Sequence, residues 1–363
     1  MYSKYIFVFI TLFTNYISSQ NCDDISMDNI NNPGPYAYDM ILENDGMRDG
    51  PNYNGATLYY PLNFDGYLSS LILVPGFVSP ESTVSEWGPY LASHGFIVMT
   101  IGTNTLTDLP QDRANALLDA VVTLQEENDR ENSPVFQQID ITKIAVGGHS
   151  MGGGGAQIAA VMDNSLKSVI SLTPWIEQWL VSYDYLNHSV PLLIISGQSD
   201  TTAPVQSHAN IHYDYTPNST PKAIYEIENG NHSVGNYPTT ANNYVGKIVL
   251  SWLNYFVDQD DCYFPLLLEY PEQASSYINN LETFEIINYQ NSKIKIYPNP
   301  VINYLNIRSD NYIKSDYHIF NKFGQIVSTG KINGYSTSIN LVNLSSGIYV
   351  LKFKNETYKI IKK

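Results

Sequence analysis

The sequence predicts an α/β protein, a mostly parallel twisted sheet with helices on both faces, followed by a small C-terminal all-β sandwich. Three observations predict it. Apolar runs alternate with helical stretches from Ala56 to Val257, and such alternation builds a parallel sheet covered on both sides. Leu71-Ile72-Leu73-Val74 and Leu192-Leu193-Ile194-Ile195 are apolar at every position, as strands buried on both faces must be. Beyond Lys293 the pattern changes to short alternating strands separated by turn residues, which suits a sandwich.

Length and charge agree with two bodies. The chain has 363 residues, about two domains' worth, and is 43% hydrophobic against 15% charged, ample for a full core. Its net charge of −16 hides an asymmetry. Residues 21–292 carry 7 basic and 32 acidic side chains, whereas residues 293–363 carry 11 basic and 3 acidic ones. The acidic body would repel nucleic acid and anionic membranes, so no nucleic-acid partner is expected and a neutral or apolar substrate is.

Taken in order, the chain opens with Lys4, an apolar run Tyr5 to Phe13 too short to span a bilayer, and small residues at Ser18 and Ser19. This predicts a secretory signal peptide over residues 1–20, cut near Ser19 or Gln20. Export makes Cys22 and Cys262 candidates for one disulfide, although each alone could be an unpaired thiol. A polar lead, Asn29 to Asn54, precedes the first element. Strands are then predicted at Ala56 to Tyr60, Leu71 to Val74, Ile97 to Ile101, Lys143 to Val146, Ser168 to Leu172, Leu192 to Ser196 and Ala223 to Ile227. Helices are predicted at Val84 to His94, Asp112 to Glu127, Ala156 to Met162, Val205 to Tyr213 and Asn242 to Val257. That sets the first body at 21–262. Tyr263 to Ser292 shows no clear period and reads as a linker, 263–292. In 293–363, Leu305 to Ile307, Tyr317 to Phe320, Gln325 to Ser328, Ser338 to Leu341, Ile348 to Phe353 and Thr357 to Ile361 read as short strands.

The chemistry centres on Gly148-His149-Ser150-Met151-Gly152, set between a strand and a small-residue helix. That context marks a nucleophile elbow, where a strained turn presents a serine and glycines let the following helix pack closely. Catalytic groups of such sheets gather in loops after the strands. One of these loops holds Asp200 and the next holds His232. Serine, acid, histidine is the chain order of the α/β-hydrolase triad. Ser150 needs an imidazole to take its proton, and His232 does so only if a carboxylate fixes its tautomer. The oxyanion hole would use the backbone N–H groups of Met151 and of Phe77, in the Pro75-Gly76-Phe77 turn. Plainer alternatives exist: Asp200 as a cap for the helix near Val205, His232 as a loop histidine, and Pro-Gly as a mere turn. His208 and His212 stand at i, i+4, a metal-ligand spacing, but no Glu lies between them as in His-Glu-x-x-His. They are expected to be surface histidines, with no metal and no cofactor.

Several stretches resemble bacterial cutinases and poly(ethylene terephthalate) hydrolases. They are Val74-Pro75-Gly76-Phe77, Leu91 to Phe96, the elbow with Gly153, Gly154 and Gly155, Thr173-Pro174-Trp175, Asp200 to Val205, and Asn231-His232-Ser233. The resemblance covers about Asn54 to Cys262. It implies a lidless α/β-hydrolase that cleaves carboxylic esters, polyesters included, in an open groove lined by Phe77, Met151 and Trp175. Pro174 before Trp175, and Glu177 and Gln178 after it, suggest an exposed loop, although a core tryptophan is the alternative. Two features depart from the family's habit. Phe77 often stands as Tyr there, and the family's disulfide lies within the C-terminal segment, where this chain has Cys262 alone. Tyr297-Pro298-Asn299-Pro300, Gly324-Gln325, Leu344 to Tyr349 and the Lys-rich end resemble a type IX secretion C-terminal sorting domain, with a carbohydrate-binding or spacer sandwich as the alternative.

The function expected is therefore a secreted serine ester hydrolase acting through an acyl-enzyme on a neutral polymeric or small ester. A monomer is expected, extracellular or on the cell surface after loss of the signal peptide and of residues 293–363, which would engage the type IX machinery. Two alternatives remain: a general carboxylesterase or lipase on soluble esters, and a non-catalytic surface-displayed binding module with the same fold.

Overall fold

The structure, a computed structural model, describes residues 22, 24–176, 183–281, 294–353 and 356–363. The expected signal peptide, residues 282–292 of the expected linker, and Glu177 and Gln178 lie outside the described residues. Two compact units are present, residues 1–284 and 285–363.

In the first unit nine described strands form one sheet. They are β1 (Tyr38–Leu42), β2 (Ala56–Pro61), β3 (Leu68–Val74), β4 (Ile97–Ile101), β5 (Ile139–His149), β6 (Ser168–Leu172), β7 (Leu192–Gly197), β8 (Lys222–Ile227) and β9 (Ala274–Asn279). Their order is β1-β2-β4-β3-β5-β6-β7-β8-β9. Pairing is parallel from β4 through β8 and antiparallel at both margins. Helices α1 (Trp87–Ala92), α2 (Pro110–Asp129), α3 (Met151–Met162), α4 (Ala209–Tyr215), α5 (Tyr244–Phe256) and α6 (Phe264–Leu268) cover it.

Successive residues along a strand serve opposite faces, and β3 shows why its run is apolar throughout. Leu71 and Leu73 join a core with α1, α5 and α6, while Ile72 and Val74 join a second core with α2, α3 and α4. The strand order reverses around β3, which lies between β4 and β5 with Val74 opposite Gly148. At such a switch point the loops leaving adjacent strands diverge and open a crevice. Here those loops are the Pro75 turn and the Ser150 elbow.

Three segments differ from expectation. The polar lead contains β1, whose strand signal is weak because all but one of its residues are exposed at the sheet edge. The predicted linker is ordered on the body through residue 281. Leu266 and Leu267 of α6 are buried, and β9 pairs antiparallel with β8. Its half-exposed edge position leaves no apolar alternation to read. The predicted helix at Val205 is split into a 3-10 turn over Val205–Ser207 and α4. Cys22 and Cys262 form a disulfide, with Cα atoms 5.2 Å apart.

The second unit is one antiparallel sheet of β10 (Ile294–Tyr297), β11 (Tyr304–Phe320), β12 (Ile326–Asn340), β13 (Gly347–Phe353) and β14 (Glu356–Lys362). It has its own core of residues such as Leu305, Ile319, Leu351 and Ile360. The four short strands predicted over 305–341 are two long ones, β11 and β12, which pair with each other with register shifts between Arg308 and Ile313 and between Ile319 and Phe320.

Candidate active site

β5 ends at His149 and α3 begins at Met151, so the chain reverses at Ser150, which takes φ 55° and ψ −120°. A side chain in that region is strained and persists only when its surroundings over-determine it. They do so here: the Ser150 N–H donates to Leu172 O at 2.9 Å, and Ser150 O accepts the amides of Gly153, Gly154 and Trp175. The β3 loop presses against the elbow. A Cβ on Gly76 would lie 2.8 Å from that of Ser150, so only glycine permits the approach.

Asp200 follows β7 and His232 follows β8. Asp200 Oδ2 lies 2.7 Å from His232 Nδ1, while its Oδ1 accepts the amides of Thr202 and Ala203, each at 2.8 Å. Burial alone would raise the Asp200 pKa. The hydrogen bonds from His232 and these two amides outweigh it and hold the carboxyl below its ordinary range. A carboxylate so held fixes the imidazole with its proton on Nδ1 and frees Nε2 as a base. Asp200 thus makes both the loop contacts, to the Thr202 and Ala203 amides, and the contact to His232 between which the sequence left a choice.

Ser150 and His232 line one cavity of about 230 Å³ with Phe77, Ser79, His149, Met151, Trp175 and Thr202. Ser150 Oγ and His232 are not hydrogen-bonded to each other here; such contacts are often loose before substrate binds. Among the described residues neither the Phe77 nor the Met151 amide donates to another backbone group. Phe77 and Met151 both line the cavity.

Trp175 lines this cavity and is partly buried. Its ring stacks on His208, with centroids 5.8 Å apart and planes 29° from parallel. The histidine pair expected at the surface is buried instead, because this face of α4 packs beneath the Trp175 loop. His208 Nδ1 accepts the Ile176 amide at 3.0 Å. His212 Nε2 lies 3.4 Å from Trp175 O, and its Nδ1 lies 2.6 Å from Gln157 Nε2. Among the described residues no group of three or more His, Cys, Asp or Glu is arranged to hold a metal ion.

Two positions carry more than their sequence signal suggested. His149 Nε2 and Thr173 Oγ1 each lie 2.9 Å from His232 O, so two donors clamp the backbone of the histidine. Burial pulls the His149 pKa down to about 4, so it clamps as a neutral ring. Thr173, β-branched yet at φ 42°, was visible in the sequence only as the residue before Pro174.

Residues 34–283 match the family model described as PET hydrolase-like, and residues 295–363 match that of a secretion system C-terminal sorting domain. The chain is 39% identical over 223 residues to a bis(hydroxyethyl) terephthalate hydrolase of Streptomyces coelicolor, covering 61% of this chain and 68% of that protein. It is 37% identical over 242 residues to a cutinase of Thermobifida alba, covering 66% and 76%. A second cutinase, of Thermobifida cellulosilytica, is 37% identical over 258 residues, covering 66% and 92%.

Proposed function

The chain belongs to the PET hydrolase-like family, and from that premise we propose that it is a secreted serine hydrolase of carboxylic esters, polyesters of the cutin or terephthalate kind among them. Ser150 is the nucleophile, His232 the general base and Asp200 the group that orients it. Ser150 Oγ attacks the ester carbonyl carbon while its proton passes to His232 Nε2, and Asp200 stabilises the imidazolium that forms. The Phe77 and Met151 amides receive the carbonyl oxygen as it becomes an oxyanion. Collapse expels the alcohol, which takes the proton from His232, and leaves Ser150 acylated. Water, deprotonated by the same nitrogen, then releases the acid.

The observation that carries this reading is the 2.7 Å Asp200–His232 contact, with His232 lining the same cavity as the strained Ser150. Substitution Ser150→Ala should lower kcat by on the order of 10⁶ and abolish labelling by an organophosphonate. More than a tenth of the activity surviving would sink the assignment, since even a lost oxyanion donor costs ~10² to 10³. The sorting-domain match supports export through the type IX route, with residues 293–363 as the signal.

A further inference from the structure

Arg113 stands in the first turn of α2 and is fully buried. Both facts work against local stability. A cation at a helix N-terminus opposes the helix dipole, and a buried guanidinium is costly unless charges or good hydrogen bonds offset it. Among the described residues no carboxylate lies within ion-pair distance of it. Burial pulls its pKa down to about 10, so it is charged at neutral pH.

Its donors go to three backbone carbonyls. Nη1 donates to Pro75 O at 2.8 Å, Nε to Asp108 O at 3.1 Å and Nη2 to Leu106 O at 3.3 Å. Leu106 O also accepts the Val78 amide at 2.7 Å. The guanidinium therefore grips the chain on both sides of Phe77, directly at Pro75 and through Leu106 at Val78. Val78 is β-branched yet has φ 52°, a strain that needs such a grip. The approach of α2 to the elbow helix depends on Gly155, where a Cβ would lie 2.8 Å from that of Arg113.

We propose that Arg113 is a positioning residue of the oxyanion hole, holding the Phe77 N–H where negative charge develops on the ester oxygen. The inference rests on the serine-hydrolase reading above. A rigid fork of donors serves this purpose better than a point charge, because it fixes the directions of several carbonyls at once. A displaced donor costs at most what a deleted one does, ~10² to 10³ in kcat.

The test uses the full chain, with Arg113→Met, which removes charge and donors at similar length, and Arg113→Lys, which keeps the charge without the fork. Turnover of a soluble butyrate ester, inhibition by a trifluoromethyl ketone whose serine adduct carries an oxyanion, and thermal unfolding are measured together. Arg113→Met should lose about 10- to 100-fold in kcat and a similar factor in ketone affinity, with KM within about two-fold. Arg113→Lys should recover part of both. If a folded Met variant keeps kcat and ketone affinity while only its melting temperature falls, the proposal is overturned. Should the Met variant not fold, the Lys variant decides: parallel loss of kcat and ketone affinity supports the role, and wild-type values for both refute it. Failure of the serine-hydrolase reading would look different, because the wild-type protein would then bind no ketone and Ser150→Ala would change nothing.

Discussion

At the scale of single residues, Trp175 is where chemistry and substrate choice are tested apart. It lines the cavity with Phe77 and Met151, and its indole is given no part in the proposed proton transfers. Stacking on an aromatic acyl group adds about 0.5 to 1.5 kcal/mol beyond burial, enough to change kcat/KM several-fold. Trp175→Ala should therefore keep its melting temperature and most activity on a small acetate or butyrate ester. It should lose several-fold on bis(2-hydroxyethyl) terephthalate or polyester film. A joint fall of both activities and of the melting temperature would make Trp175 a structural residue, consistent with its stacking on His208.

At the scale of elements, the informative feature is the chain after Cys262. Tyr277 Oη donates to Leu267 O at 2.6 Å, and Tyr225 Oη donates to Glu272 O, so α6 and β9 are tied to each other and to β8. Burying Leu266 and Leu267 contributes about 1.5 to 3 kcal/mol each, and β9 covers an edge that would otherwise offer unpaired backbone groups. A chain ending at residue 284 should stay monodisperse and melt cooperatively, whereas one ending at Cys262 should aggregate or melt much lower. Equal melting temperatures for the two would show that α6 and β9 add nothing. The Cys22–Cys262 disulfide closes a separation of 240 residues, worth at most about 5.5 kcal/mol in the chain-entropy picture.

At the scale of the whole molecule, buried histidines couple stability to pH. Burial lowers the pKa of His149 and His188 to about 4 and that of His212 to about 3, from an ordinary 6.5. Between the ordinary and the folded values the unfolded chain binds more protons, so stability is full above about pH 6.5 and falls as pH drops toward 4. Every tenfold weakening of proton binding by the fold corresponds to about 1.4 kcal/mol. Asp200, whose folded pKa is lowered, retains its contribution through this window and loses it only as pH falls further, through its folded value. The melting temperature should thus drop most steeply between pH 6.5 and 4, and His212→Phe should flatten that slope. A level profile over the window would refute the coupling. The sorting-domain match lies in the other unit. Deleting residues 293–363 should stop secretion by the type IX route while leaving ester hydrolysis by the retained protein intact, and an exported, truncated enzyme in the medium would count against that.

The sequence by itself determined what local patterns encode. Fully apolar runs specified the central parallel strands, and the glycine-flanked Ser150 between strand and helix specified the elbow, because both are statements about a few neighbouring residues. The loop positions of Asp200 and His232 followed from strand ends. Tertiary structure alone decided which polar residues go inside. His208, His212 and Arg113 are residue types that usually face water, and only the packing of α2 and α4 against the loops around Ser150 supplies the carbonyls and amides that make their burial tolerable. Edge strands escaped for the same reason in reverse. β1 is held by hydrogen bonds to β2, the next strand, and β9 by hydrogen bonds to β8, and strands this exposed carry no alternation from which the pairing is read.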